Sequence, residues 1–225
     1  MLYKPENWTV RGSYGKGFFA SIDISYTFDS VETSVTLFSS DVENVTELEG
    51  INQQLTPSYK SVRIINSPGQ SEIRGAEFLL RYRWNDIKLT GSYLYTDASK
   101  QSNSGIGRVP LTLTPEHSAG AVIMWEEHGS HLVGFEAYYT GTQHLENNPY
   151  RDRSDAYWHL GLLGQITVGR ISYFVNAENL LNIRQTKEDS LVLPLQAPSG
   201  RWTTDIWSRN DGFTVNAGIR IKFND

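Results

Sequence analysis

Residues 213–223 read FTVNAGIRIKF, and Phe213, Val215, Ala217, Ile219, Ile221 and Phe223 alternate with Thr214, Asn216, Gly218, Arg220 and Lys222. A period of two puts alternate side chains on opposite faces of a strand, so this run predicts a strand with one apolar and one wet face. Outward from it, Ile22, Ile24, Tyr26 and Phe28 alternate with Ser21, Asp23, Ser25 and Thr27. Ile87, Leu89, Tyr93 and Tyr95 alternate with Lys88, Thr90, Ser92 and Thr96, and Ala76, Phe78, Leu80, Tyr82 and Trp84 with Glu77, Arg81 and Arg83. Leu79 and Leu94 fall on the polar side.

Such runs predict about ten strands, over 8–14, 20–28, 31–46, 71–84, 86–97, 116–126, 130–142, 156–168, 170–177 and 212–223, many near the length a tilted strand needs to cross a bilayer. Helical periodicity is nearly absent, apart from a single turn expected around 179–184. Tight links at Asp29–Ser30, Asn85, 127–129 and Gly169 alternate with long polar segments at 47–70, 98–115, 143–155 and 178–211. Alternation of short and long connections sorts turns to one end of a sheet and loops to the other, as in a transmembrane barrel. The expected fold is therefore all-β: an antiparallel meander of about ten long strands, part of a transmembrane β-barrel, with 1–225 as one unit.

Composition narrows the class. The chain has no Cys, which excludes disulfides, thiolate metal sites and a Cys nucleophile. Its formal charge of -5 is dispersed and no basic stripe follows a nucleic-acid backbone, so nucleic acid is not an expected partner. No window approaches the roughly 18 apolar residues of a membrane-spanning helix, an absence that a β-barrel shares.

The aromatics carry a second test. By strand parity Trp8, Phe28, Trp84, Trp125, Tyr173 and Phe223 fall at the short-turn end of the apolar stripes, and Tyr14, Tyr95, Tyr139, Trp158 and Phe213 at the long-loop end. Amphipathic rings favour the two membrane interfaces, so two bands of one parity are the expected aromatic girdles, with lipid as the partner.

Several segments then resemble, in order, the C-terminal barrel of TonB-dependent receptors. Residues 11–20, RGSYGKGFFA, are similar to a strand-to-loop segment that often carries Gly-Phe-Arg-Ala-Pro, and 71–78, SEIRGAEF, to one where Gly-x-Glu begins a mid-barrel strand. Residues 108–120, RVPLTLTPEHSAG, look like the Thr-Pro-x-His opening of a strand after an extracellular loop, and 176–183, NAENLLNI, resemble an Asn-Leu-Phe-Asp element. Residues 200–223 are similar to the closing Gly-Arg segment and last strand, with Gly218, Ile221 and Phe223 spaced like the signal read by the barrel assembly machinery.

The resemblance implies an outer-membrane location in a Gram-negative cell, a small nutrient ligand such as an iron chelate, haem or cobalamin, and coupling to the TonB complex through a plug region absent from this sequence. It also implies about 22 strands around a plugged lumen, so the expectation is a fragment lacking the plug and roughly the first half of the barrel. Two departures stand out. Ala20 runs straight into SIDISYTF with neither the expected Pro nor a long loop, and Phe223 is followed by Asn224 and Asp225.

No catalytic, cofactor or metal site is expected. His117, His128, His131, His144 and His159 lack paired ligand spacing, only His128 and His131 being close, and turn or strand roles account for them. Glu77, Glu136 and Glu178 are expected in a wet lumen. GKGF at Gly15 has no nucleotide-binding context. Two loop clusters, residues 147–152 and Arg201, Trp202, Trp207 and Arg209, mix aromatics with cations, a chemistry that grips anionic or aromatic ligands and also serves loop packing. Tyr150, Arg151, Arg201, Trp202 and Trp207 are the candidate ligand contacts. The competing readings are a complete small barrel, omptin-like or porin-like, and a soluble β-sandwich that binds carbohydrate. The omptin reading lacks an Asp-x-Asp or Asp-x-His pair at a rim, and the sandwich reading would not sort short and long connections to two ends.

Overall fold

The computed structural model describes residues 2–3, 7–15, 19–51, 61–66, 69–102, 106–127, 129–146, 148–196 and 202–223. Among these described residues fourteen strands form: β1 (Leu2–Tyr3), β2 (Trp8–Gly15), β3 (Phe19–Phe28), β4 (Val31–Val42), β5 (Thr46–Ile51), β6 (Ser61–Asn66), β7 (Ser71–Trp84), β8 (Ile87–Gln101), β9 (Arg108–Pro110), β10 (His117–Glu127), β11 (His131–Thr140), β12 (Tyr157–Val168), β13 (Ile171–Glu178) and β14 (Thr214–Ile221). Twelve make one antiparallel sheet in the order β1-β2-β3-β4-β7-β8-β10-β11-β12-β13-β14, with β9 added along β8, while β5 and β6 pair only with each other.

The tight links are as the residue types require. Asp29, Asn85, Gly129 and Gly169 take positive φ values of 48°, 49°, 82° and 59°. Asn, Asp and Gly tolerate that region best, and two-residue hairpin turns demand it.

Register explains the alternation. One row of directly paired residues crosses nine strands as Phe28, Val31, Tyr82, Leu89, Ile123, Phe135, Leu162, Ala177 and Val215. Its neighbour, one residue along every strand, reads Thr27, Glu32, Arg81, Thr90, Val122, Glu136, Gly161, Glu178 and Thr214. The first row is apolar throughout and the second mostly polar, with Val122 an exception in it and Leu79 and Leu94 exceptions elsewhere on its face, and the apolar face is the exposed one. Ile22, Ile24, Phe28, Phe135, Leu162 and Val215 are exposed while Ser21, Asp23 and Ser25 are half-buried. A water-soluble sheet does the reverse, and an apolar surface of this extent demands hydrocarbon or a partner to cover it.

The polar face is laced with short-range bonds. Asp23 accepts from Ser25 Oγ at 2.9 Å and from Thr36 Oγ1 at 3.0 Å, Arg81 pairs with Glu32 at 3.3 Å, and Lys88 with Glu126 at 2.6 Å. Rings here lie against glycines of the adjacent strand. Phe38 covers its partner Gly75, Tyr138 crowds Gly120 and Phe174 covers Gly218, where a Cβ would meet ring atoms at 2.4, 3.1 and 2.4 Å.

The ten long strands appear where expected, with corrections at the loop ends. The run expected over 31–46 ends at Val42, because Asn44 takes a left-handed φ of 58° and the chain turns into β5. The 47–70 segment, expected as loop, contains the β5–β6 hairpin, and the 98–115 segment loses its start to β8 and contributes β9. Gly15 pairs with Phe19, so the β2–β3 connection falls before Ala20, which lies inside β3. The turn expected around 179–184 is followed by a 3₁₀ turn over Gln185–Lys187.

Candidate functional site

Most of the buried side chains among the described residues lie in the loops. Among the described residues the only buried large apolar side chains are Leu193 and Trp207, and Gln143, Ser154, Asn179, Gln185, Asp189, Thr204, Asp205 and Ser208 are buried with them. Buried polar groups cost free energy unless bonded, so their partners define the architecture.

Two connections supply the cluster, β11–β12 and β13–β14. The second leaves β13 through NLLN. Asn179, 2% exposed, takes φ 51° and bonds both its ends: Nδ2 donates to Ile183 O at 2.8 Å and Asp211 O at 2.9 Å, and Oδ1 accepts from Ile183 N at 2.8 Å. Asn182, at φ 53°, accepts from Phe213 N at 3.1 Å. These two side chains staple the start of the loop to its return into β14.

Deeper in, Gln185 is wholly buried. It donates to Asp205 O at 2.7 Å and accepts from Trp207 N at 2.9 Å. Trp207, 5% exposed, gives its indole N–H to Asp189 Oδ2 at 3.3 Å and packs 6.2 Å from the Tyr157 ring. The β11–β12 loop reaches across at three places. Gln143 Nε2 donates to Trp207 O at 3.0 Å, Glu146 N donates to Asp205 Oδ2 at 2.7 Å, and Arg151 Nε meets Asp189 Oδ2 at 3.0 Å. The Arg151 guanidinium also pairs with Asp155 and stands 5.7 Å from the centroid of the Trp207 ring. The bond to Asp155 and the carboxylate field of Asp155 and Asp189 push its pKa above the ordinary arginine value, against an opposing burial effect.

A cleft of about 330 Å³ opens beside the same loop, lined among others by Asp97, Arg108, Glu116, His144 and Arg153. His144 is fixed by its backbone, whose carbonyl accepts from Leu113 N at 2.9 Å. Arg153 Nη2 lies 2.8 Å from His144 Nε2. An arginine can only donate, so Nε2 is the acceptor and the imidazole proton sits on Nδ1. Burial, then the Arg153 charge, push the His144 pKa below its ordinary value, with Glu116 opposing.

Of the candidate ligand contacts, Arg151 and Trp207 come together inside the loop cluster, while Tyr150 and Trp202 are exposed. Arg201, with His128 and Asn147, lies outside the described residues, as do Lys16, Gly17 and Phe18 of GKGF. Glu77, Glu136 and Glu178 lie on the polar face, where Glu178 accepts from Asn176 at 2.8 Å and faces Arg209 at 3.7 Å. His117 bonds Tyr93 at 2.7 Å, His131 meets Glu127 at 3.1 Å, and no group of three metal-ligating side chains occurs among the described residues.

The girdle candidates Trp8, Phe28, Trp84, Trp125, Tyr173 and Phe223 are exposed at the short-turn end, and Tyr14, Tyr95, Trp158 and Phe213 at the other, with Tyr139 against Trp158 at 5.1 Å. Gly218 lies under Phe174, and Ile221 and Phe223 are exposed at the end of β14. Sequence reasoning missed Gln143, Gln185, Asp189 and Asp205. NLLN was the one available signal, since a loop Asn is a frequent left-handed residue.

The chain matches the family model "TonB dependent receptor-like, beta-barrel" over residues 20–180. No curated protein sequence matches it. Among solved structures it is similar to the ferric enterobactin receptor of Pseudomonas aeruginosa, with TM-score 0.66 and 17% identity over 91% of this chain and 31% of that one. It is also similar to the ferric-catecholate import receptor Fiu of E. coli K12, with TM-score 0.62 and 17% identity over 97% and 34%. The FrpB iron transporter of Neisseria meningitidis gives TM-score 0.61 and 12% identity over 99% and 38%. The chain thus spans about a third of the length of these receptors. With an ordered meander, outward apolar rows and a family match over most of its length, the chain belongs to the TonB-dependent receptor β-barrel family, whose members are transporters rather than enzymes.

Proposed function

We propose that this chain forms part of the wall and the extracellular rim of an outer-membrane receptor that takes up a scarce nutrient, an iron chelate such as a siderophore being the favoured class and haem or cobalamin the alternatives. The exposed apolar row from Phe28 to Val215 carries the reading, because only a hydrocarbon surround makes that face favourable across nine strands. Iron chelates are favoured because the receptors it resembles include a ferric enterobactin receptor and a ferric-catecholate import receptor.

In this reading the aromatic bands meet the two lipid interfaces, and Gly218, Ile221 and Phe223 serve the barrel assembly machinery. TonB acts through the plug region of the whole receptor. Tyr150 and Trp202, with Arg201, meet the ligand, whereas Arg151 and Trp207 shape the loops that present them. Cells lacking the gene are expected to lose uptake of one radiolabelled ferric chelate, and Trp202→Ala to weaken its binding several-fold with unchanged protein level in outer-membrane fractions. Recovery of the protein only from the soluble fraction would overturn the reading.

A further inference from the structure

The loops β11–β12 and β13–β14 share no sequence neighbourhood, yet the buried residues they contribute form one bonded set. We infer that the described residues of 143–155 and 185–207 (143–146, 148–155, 185–196 and 202–207) are a single rigid body, with Arg151 as its positioning residue, so that neither loop moves without the other.

Three observations carry this. The links between the loops are buried or part-buried: Gln143 to Trp207 O, Glu146 N to Asp205 and Arg151 to Asp189. A polar group that parts from its partner inside such a cluster stays desolvated, so opening any one link is costly. Second, each loop is internally fastened before it meets the other. Gln143 and Ser154 exchange two bonds at 2.9 Å across the base of the first, while Leu193 N donates to Trp202 O at 2.8 Å and Thr204 N to Leu191 O at 3.0 Å in the second. Third, Arg151 sits where both meet, holding Asp155 of its own loop, Asp189 of the other, and the face of Trp207. A guanidinium supplies several donors in a fixed plane, so one side chain can hold two carboxylates at once.

The rim then has a coupled segment. Tyr150 and Trp202 project from the same body, one from each loop, so a group that displaces either moves both. The inference stands whether or not the chain carries a nutrient, since it concerns only how the loops are held.

Amide hydrogen exchange of the full-length protein in detergent or bilayer discs tests it. In the wild type the amides of Gln143, Glu146, Ser154 and Trp207 should be protected together. Arg151→Gln should speed exchange at least tenfold in both loops, including Trp207, whose amide it does not bond. Coupling is reciprocal. Gln185→Ala, which removes side-chain bonds made only within its own loop, should therefore speed exchange at Gln143 and Glu146. Strand amides of β11–β13 should stay protected in both variants. If Arg151→Gln disturbs those strands, Arg151→Lys, which keeps the charge but loses the planar fork, is read instead. Acceleration confined to the mutated loop, or unprotected wild-type amides, would overturn the inference.

Discussion

The ring of Phe174 rests on Gly218, its direct partner in the last strand, and a Cβ at that glycine would lie 2.4 Å from Phe174 Cζ. Gly218 therefore has a packing reason to be glycine, independent of any recognition of the strand during assembly. Phe38 over Gly75 repeats the device across β4 and β7, and an aromatic covering a cross-strand glycine restores the packing that glycine lacks.

Gly218→Val is accordingly expected to destabilise the barrel by about 1–3 kcal/mol, the usual cost of overpacking. Gly164→Ala should change it by less than about 0.5 kcal/mol, because a Cβ there meets only Val175 Cγ1 at 3.7 Å. Denaturant unfolding in vesicles, free of assembly machinery, separates packing from recognition. An unperturbed Gly218→Val would show that the ring has room to yield.

On the apolar face, Ile123→Arg should cost about 2–4 kcal/mol if its height is near the bilayer midplane. Thr90→Gln, one residue along from the same row on the paired strand, should cost less than about 0.5 kcal/mol. The contrast between these variants, measured by the same unfolding assay, reports which face meets hydrocarbon.

Asn179→Ala should lose about 2–4 kcal/mol, since it strands three buried backbone groups and puts alanine, which tolerates a left-handed φ less well than asparagine, at that position. Asn179→Gly should recover roughly 1 kcal/mol of this by relieving the backbone alone. Thermal unfolding of the two variants gives the comparison.

The His144 contact should be pH-sensitive. Its folded pKa is lowered, so a loosened loop takes up the proton first, and the contact's stabilising contribution, present above the ordinary imidazole value of 6.5, is lost as pH falls below it. Exchange of the Leu113 amide, which donates to His144 O, should accelerate below that pH once the intrinsic exchange rate is corrected, and His144→Gln should abolish the dependence.

The strands were legible because lipid-facing alternation is enforced on every residue of a crossing segment. Ile22 to Phe28 and Phe213 to Phe223 show it directly. The β5–β6 hairpin was not, because pairing beyond the crossing height needs no apolar face, and TELEGI reads as polar loop. Arg151 and Trp207 were legible as a pair able to bind something. That Arg151 meets Asp189 and the Trp207 ring depends on contacts between residues 38 and 56 positions apart, which no local pattern records. Gln185 was silent for the same reason: a buried glutamine looks in sequence like an exposed one.

The two neighbouring rows across nine strands have a consequence for errors. Because they differ by a single step along each strand, a slip of one position at any seam would carry Glu32, Glu136 or Glu178 into the greasy surround and turn Phe135 or Leu162 inward. Every seam is thereby held in register by the media on both faces of the sheet at once, the lipid on one and the wet lumen on the other.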